Sequence, residues 1–179
     1  MTLVTNDLKK GVQELHERLS SPDDPAKFVR TISIDATMTG PQTSEALWSG
    51  LKVVSDEPKS IAGHEAAPPP SWLFVASIGF AENVIFARQA AIKGVDFDSM
   101  ETHLEAVWDM KGIFSIRDAD PSIASILIET RVTSEASPAD IAELVRLTDR
   151  RCPMTRTIAK AARVQRRLLL NGSEVPLQA

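Results

Sequence analysis

The sequence predicts a single α+β domain over residues 1–179 that forms a homodimer. Its segments alternate in an order typical of this class: helix, strand pair, long helix, strand pair, helix, strand. The long central segment, residues 72–92, is so apolar that it needs cover on nearly all sides, which favours a second copy of the chain. A hydrophobic share of 43% and a charged share of 25% are ordinary for a globular protein.

The first elements are predicted from periodicity. Residues 6–20 form an amphipathic helix, because apolar residues recur there at helical spacing: Leu8, Val12, Leu15 and Leu19. Residues 28–39 alternate between two sets of side chains, which predicts a strand with one buried face. Gly40 and Pro41 turn the chain, and residues 45–54 are expected to return as one second strand.

Three prolines precede the predicted central helix. Residues 59–70 are rich in Ala, Gly and Pro, and the three prolines that end this loop force an extended lead-in. Ser71 is the predicted cap, the helix runs to about Lys93, and Gly94 stops it. The apolar stretch is long enough to raise the question of a membrane span, but polar residues interrupt it, so a core or subunit-interface helix is the better interpretation.

The C-terminal half follows the same rules. Residues 100–110 and 123–133 are predicted strands joined by the loop 111–121. Ser137 and Asp140 form a helix-start signature. The inner face of that helix is expected to carry Ile141, Leu144, Val145 and Thr148. Cys152 and Pro153 break the helix, residues 160–170 form a closing strand, and residues 171–179 are a tail.

Charge and residue usage exclude several kinds of function. A net charge of −4 gives no support to nucleic-acid binding, and a single cysteine rules out an intrachain disulfide, which suits a reducing cytoplasm. We expect no signal peptide, since the first ten residues lack a basic segment followed by an apolar run. His16, His64 and His103 lack metal-ligand spacing, and no cofactor-binding motif is present, so neither a metal nor a cofactor is expected.

The single cysteine, Cys152, is the best-placed residue for nucleophilic chemistry. Three arginines flank it in the segment 150–156, and Pro153 suits the first position of a short helix that Cys152 would cap. Positive charge and a helix N-terminus favour a thiolate. A lone cysteine is also often buried as a small apolar group, and both interpretations stay open.

Two segments resemble the OsmC/Ohr family: residues 70–81, with the sequence PSWLFVASIGFA, and residues 151–158, with the sequence RCPMTRTI. The resemblance extends over roughly residues 28–170. It implies an OsmC-like fold, with antiparallel sheets packed around a long apolar central helix in an intertwined homodimer. It also implies reduction of organic hydroperoxides by two cysteines that a dithiol reductant restores.

The chain departs from that family pattern at the reacting thiol. The resemblance places the resolving cysteine at Cys152 and the peroxide-reacting cysteine at Ala81, where there is no sulfur. An alanine cannot attack a peroxide, so we predict no ordinary two-cysteine peroxidase activity. Ala81 is either natural, in a branch with changed chemistry, or an engineered Cys-to-Ala change, in which case the protein is a hydroperoxide reductase.

Two further groups that the resemblance implies are missing. The family's glutamate just after the leading proline is replaced by Ser71 and Trp72, and its catalytic arginine near the first strand turn by Pro41 and Gln42. Arg30 is only a distant substitute.

Around Ala81 the helix offers other candidates. Glu82 is either a structural partner of an arginine such as Arg88, of another arginine or of the opposing subunit, or else a general base or ligand anchor. The candidate residues for binding a substrate are Ser77, Phe80, Ile85 and Arg88.

The leading hypothesis is an apolar pocket at the dimer interface, between Ala81 and Cys152, that binds or processes a small hydrophobic molecule. Processing would be a cysteine-dependent hydrolase or transferase reaction using Cys152 and Glu82. A non-catalytic binding protein is the remaining alternative.

Overall fold

The computed structural model describes residues 1–20 and 28–177, and it confirms the α+β class. Five helices alternate with seven strands in these residues. The helices are α1 Asn6–Leu19, α2 Pro70–Lys93, α3 Met110–Ile113, α4 Pro138–Arg151 and α5 Pro153–Ile158. The strands are β1 Ala36–Met38, β2 Ser44–Trp48, β3 Leu51–Ser55, β4 Ser99–Trp108, β5 Ile123–Thr133, β6 Arg163–Leu170 and β7 Ser173–Glu174.

The chain divides into two compact units. The larger unit consists of Met1–Arg18 and Ser77–Ala179, and the smaller of Leu19–Ala76. Each has its own sheet, with the strand order β4-β5-β6-β7 in the larger unit and β1-β2-β3 in the smaller.

The sheet of the larger unit mixes pairing directions. Strands β4 and β5 pair antiparallel along their length, from Ser99 opposite Thr133 onward, and β7 pairs antiparallel with β6. Strands β5 and β6 are parallel, with Ile128 opposite Arg166, which departs from the expected antiparallel sheets. A parallel pair needs a long crossover, and helices α4 and α5 supply it.

Helix α2 packs one face against this sheet and against α4. Ile78 forms a buried cluster with Ile126 and Ile128 of β5. Phe86 and Ala90 lie further along the same face, in a second cluster that includes the inner face of α4. That inner face is as predicted, since Ile141, Leu144, Val145 and Thr148 are all buried. Gly79 allows the close approach, because a Cβ there would come within 2.9 Å of Leu104 Cδ1.

The outer face of the same sheet carries charges instead of apolar residues. Arg131 pairs with Glu101 at 2.9 Å and with Glu129 at 2.7 Å, and Arg167 reaches Glu129 at 2.7 Å. These residues alternate along their strands with the buried apolar ones, as a sheet with one covered face requires.

The smaller unit corrects two predictions. The expected strand over 28–39 forms only as β1, Ala36–Met38, and residues 29–39 are all exposed, so the predicted buried face is wrong. Only these three residues pair with the neighbouring strand, from Ala36 opposite Ala46 to Met38 opposite Ser44. Alternation along the sequence does not form a strand where no partner strand is bonded to it. The expected single strand over 45–54 is a hairpin, whose turn residues Ser49 and Gly50 both have positive φ.

A buried carboxylate organises the loop that leads to α2. Asp56 accepts backbone N–H bonds from Glu57 at 2.9 Å and from His64 and Ala66 at 3.1 Å each, as well as the hydroxyl of Thr43. The Ala66 bond contributes most to lowering the pKa of Asp56 below its ordinary value, and burial opposes it. The loop is therefore held by hydrogen bonds to one ionised side chain.

Helix α2 begins two residues earlier than predicted, since a cap at Ser71 would have made Trp72 the first helical residue. Pro70 is its first residue and Ser71 lies inside it, which suits the missing N–H of proline at a helix start. The end is as predicted: the helix stops at Lys93, and Gly94 follows with φ 68°.

By length and composition α2 is the one helix among the described residues that could cross a membrane, and 22% of its most apolar window is buried in the chain. The same helix carries a buried glutamate and packs one face against the sheet and α4. These contacts agree with the sequence-based interpretation of a core helix.

The buried face of α2 is expected to dominate stability. Phe86 is fully buried and packs edge-to-face on Phe97 with ring centroids 5.2 Å apart, so Phe86→Ala should lower the free energy of unfolding by about 3–5 kcal/mol. Ile113, an exposed apolar residue of α3, is the control, and Ile113→Ala should cost less than about 0.5 kcal/mol. Urea denaturation measures both, and equal losses would contradict the assignment of Phe86 to the core.

Candidate functional site

Glu82 is the centre of a buried polar cluster in the larger unit. Its side chain is fully enclosed, and it lies on the face of α2 that packs against the sheet. Its Oε2 accepts a hydrogen bond from Arg166 Nη2 of β6 at 2.8 Å, and its Oε1 accepts one from the hydroxyl of Thr155 in α5. Glu82 is thus paired in this structure, and its arginine is Arg166 and not Arg88.

Arg166 connects Glu82 to two further elements. Its Nη2 also donates to Asp149 Oδ1 of α4, and its Nη1 donates to Thr130 Oγ1 of β5 at 3.2 Å. Its Nε is buried and has no hydrogen-bond partner among the described residues. We call these five residues the Glu82 cluster: Glu82, Thr130, Asp149, Thr155 and Arg166.

The Glu82 cluster holds two carboxyl groups against one guanidinium. Burial raises the pKa of Asp149 above its ordinary value of 3.8, the charge of Arg166 opposes this, and the charge of Glu82 adds to it. Asp149 is also the partner nearer to solvent, with 35% of its side chain exposed against 1% for Glu82. Asp149 is therefore the carboxyl group of the cluster that solvent can reach.

Cys152 lies at the corner between α4 and α5, next to this cluster. It ends α4, where its N–H donates to Thr148 O at 2.7 Å, and it precedes Pro153, the first residue of α5. The predicted helix start after Cys152 is thus confirmed, but the side chain makes no capping hydrogen bond, and the residue is fully buried. In this chain Cys152 has the features of a small apolar residue.

The arginines that flank Cys152 in the sequence do not all lie close to its sulfur as charge partners. Arg150 pairs with Glu143 Oε1 at 3.3 Å on α4, and Arg151 and Arg156 are exposed. The positive charge that the sequence places around the thiol is therefore largely directed to solvent or to another ion pair.

The other predicted site residues lie on a different face of α2. Ser77, Phe80 and Arg88 are exposed, with Phe80 exposed by 66%, while Ala81 and Ile85 are half-buried. Because successive helical residues are turned by about 100°, Ala81 does not share the inward direction of Glu82. The structure does not bring Glu82 and Phe80 onto one face, so a single pocket of this chain floored by Phe80 and walled by Glu82 is not formed.

Sequence reasoning missed four members of the Glu82 cluster: Thr130, Asp149, Thr155 and Arg166. Arg166 had a readable signal, because it alternates with Ala162, Val164 and Leu168 on the otherwise apolar face of β6. An arginine on such a face needs a buried acid, and Glu82 is the only acidic residue of α2. Asp149 and Thr155 carry no comparable signal, since both lie in polar helical segments.

Comparison with known families identifies the family of this chain. A sequence model of the family described as OsmC-like protein matches residues 63–166, more than half of the chain. The matched region includes all of α2 and the segment with Cys152, and it ends at Arg166. The chain belongs to the OsmC/Ohr family. A search of curated proteins finds no match.

Solved structures show the same fold. An OsmC-like protein from Mycoplasma pneumoniae superimposes with a TM-score of 0.66 at 16% identity, covering 78% of this chain and 98% of its own. An organic hydroperoxide resistance protein OsmC from Legionella pneumophila has a TM-score of 0.60 at 14% identity, covering 79% and 98%. One from Elizabethkingia anophelis, with thiocyanate bound, has 0.63 at 13%, covering 79% and 99%.

The ion pair is expected to be a structural necessity. Arg166→Met removes the only guanidinium of the Glu82 cluster and leaves Glu82 buried without its charge partner, which should destabilise the protein by about 3–5 kcal/mol. Arg163→Met, on an exposed residue of the same strand, is the control and should change stability by less than about 0.5 kcal/mol. Chemical denaturation measures the free energy of unfolding of both variants. An Arg166→Met variant as stable as the unaltered protein would exclude a structural role for the ion pair.

Proposed function

We propose that this OsmC/Ohr-family protein binds a small hydrophobic molecule against the exposed apolar face of α2, within a homodimer, and does not run a two-cysteine peroxide cycle. The observation that carries the proposal concerns three groups: a thiol at position 81, an accessible Cys152 and a free Glu82 carboxylate. A peroxide cycle, or a hydrolase or transferase reaction in its place, would use these groups. Position 81 has a methyl group, Cys152 is buried, and both carboxylate oxygens of Glu82 are already engaged.

The exposed face of α2 supports a partner and a ligand. Phe80, Val84 and Ile92 all expose about half of their surface or more along three turns of one helix. Contiguous exposed apolar surface of this kind is typical of protein or ligand interfaces. Arg88 lies on this side of α2 and pairs with no described acidic residue, so it is available to a polar end of the ligand or to the second copy.

Binding is favoured over processing by the same contacts. A cysteine-dependent hydrolase or transferase needs an accessible thiolate, and a general base needs a free carboxylate. In this chain Cys152 has no exposed surface and Glu82 holds α5 and β6 together. We also propose a cytoplasmic location, because one unpaired cysteine suits a reducing compartment.

Peroxide consumption tests the chemical part of the proposal. With cumene hydroperoxide and excess dithiothreitol, the protein should consume peroxide no faster than a Cys152→Ala variant, because neither has a reacting thiol on α2. Rapid turnover by the unaltered chain would overturn the proposal.

A second candidate, an organic hydroperoxide reductase with cysteine at position 81, is favoured by one contact. This contact is the hydrogen bond between Thr155 and Glu82. Glu82 is the residue after Ala81, and Thr155 lies one turn after Cys152. An Ala81→Cys variant should therefore reduce the peroxide to alcohol, forming a sulfenic acid that Cys152 resolves to a disulfide with release of water. Intact-mass measurement without reductant detects that disulfide, and its absence would remove this candidate alone.

The hydrophobic ligand face is tested with a fluorescent probe. Phe80→Ser should weaken binding of 1-anilinonaphthalene-8-sulfonate and lower the dimer fraction measured by light scattering, because it interrupts the apolar face of α2. Ile113→Ser, at another exposed apolar residue in α3, is the matched control and should change neither quantity. If both substitutions act alike, or neither acts, the face is wrongly assigned.

A further inference from the structure

The turn between β6 and β7 consists of Asn171 and Gly172. Leu170 pairs with Ser173, so the turn has two residues, and their φ angles are both positive, 51° and 79°. Asparagine followed by glycine suits such a turn, because both residues adopt positive φ at low cost. The same dipeptide is chemically labile, since glycine has no side chain that shields its nitrogen from the asparagine side chain before it.

The reaction open to this dipeptide is loss of ammonia from Asn171. The backbone nitrogen of Gly172 gives its proton to hydroxide and attacks Cγ of Asn171, so that an N–C bond forms. The bond from Cγ to Nδ2 then breaks, and the nitrogen takes a proton from water and leaves as ammonia. Water adds to either carbonyl of the cyclic imide and opens it to aspartate or isoaspartate. The net change consumes water, releases ammonia and needs no oxidant or cofactor.

The fold holds the side chain of Asn171 away from this reaction. Its Oδ1 accepts a hydrogen bond from Ser134 N at 3.1 Å, and its Nδ2 donates to Ser134 O at 2.9 Å. The backbone N–H of Asn171 also donates to Val132 O at 2.8 Å. Cγ can reach the nitrogen of Gly172 only by leaving Ser134, which breaks both side-chain bonds. The amide group is thus held at both ends by the backbone of one residue.

Ser134, which follows β5, is itself a fixed anchor. It is buried, and its hydroxyl donates to Asp96 O at 2.7 Å and accepts from Ala136 N at 3.0 Å. Asp96 lies between α2 and β4, and Ala136 lies between β5 and α4. Through Ser134 the side chain of Asn171 therefore joins the β6–β7 turn to two other connections of the larger unit.

The turn has little else that keeps it closed. Strand β7 has two residues, and the four residues 171–174 are all exposed. Short exposed elements with few buried contacts open locally at a free energy well below that of global unfolding. In the open turn the side chain of Asn171 is released from Ser134, and the nitrogen of Gly172 can attack it.

We propose that Asn171 is a deamidation site that the closed β6–β7 turn protects and that local opening of this turn exposes to reaction, and that its products weaken the anchor at Ser134. Aspartate has no Nδ2 hydrogen to donate and sets a carboxylate oxygen against Ser134 O. Isoaspartate lengthens the backbone of the turn and disturbs the pairing of Leu170 with Ser173. The site does not depend on the ligand of α2.

The rate of deamidation tests the protection. It is measured by peptide mass spectrometry after incubation at mildly alkaline pH, in the folded protein and in the same protein unfolded in guanidinium chloride. The rate at Asn171 should be at least about tenfold lower in the folded protein. Asn6 and Asn83, the other asparagines of the chain, precede residues with side chains and should react slowly in both states. Equal rates at Asn171 in the two states would overturn the proposal.

Ser134→Ala tests the anchor without altering the groups that bind Asn171. The variant keeps the backbone N–H and carbonyl but loses the hydroxyl bonds to Asp96 O and Ala136 N. Deamidation in the folded variant should be about threefold faster or more, with no change in guanidinium chloride. Thr133→Ala, at the exposed neighbouring residue of β5, is the matched control and should change neither rate. A folded Ser134→Ala variant that reacts no faster than the unaltered protein overturns the proposal.

Asn171→Asp reproduces one product and tests the consequence. It should raise the equilibrium constant for unfolding by about fivefold or more, because Ser134 O loses its donor. Asn6→Asp, the same exchange at the exposed start of α1, should not raise it, since a negative charge is favourable at a helix N-terminus. Denaturation in guanidinium chloride measures both, and an Asn171→Asp variant as stable as the unaltered protein contradicts the proposed weakening.

Discussion

The ion pair between Glu82 and Arg166 is the constraint on which the larger unit depends. Glu82 is the only acid of a 24-residue apolar helix, and an unpaired carboxylate at this depth would be very costly. Its partner comes from β6 and is directed inward only because β6 pairs with β5 in the register that sets Arg166 opposite Ile128. A slip by one residue would turn Arg166 to the outer face. One contact thus links the helix, the sheet register and, through Asp149 and Thr155, the crossover of α4 and α5.

This arrangement divides α2 into two faces with different roles. The inward face, with Ile78, Glu82 and Phe86, is engaged in packing and in the ion pair, and changes there alter stability. The outward face, with Phe80 and Arg88, is exposed and is available to a ligand or to a second chain. Because the faces are separate, the outward one can change its chemistry without disturbing the core.

Much of the fold could be predicted from local patterns. The helix from Pro70 to Lys93, strand β5 and the inner face of α4 follow from periodicity and end signals that lie within each segment. The prediction failed where structure depends on pairing, since only Ala36–Met38 of the alternating segment pairs with β2. Prediction of the site was limited in the same way. Cys152 and Glu82 could be singled out from the sequence, but Asp149 and Thr155 come close to Glu82 only because α4 and α5 form the crossover between β5 and β6.

The separation of faces also bears on position 81. Ala81 is half-buried beside Glu82 but not directed with it, so its methyl group leaves the Thr155–Glu82–Arg166 contacts intact. Those contacts hold α5 and β6 to α2 without any part played by the side chain at position 81. Cys152 contributes to the same region as a small apolar side chain that fills the corner between α4 and α5. A change of side chain at position 81 would therefore alter the chemistry of the helix surface and leave the packing of the inward face unchanged.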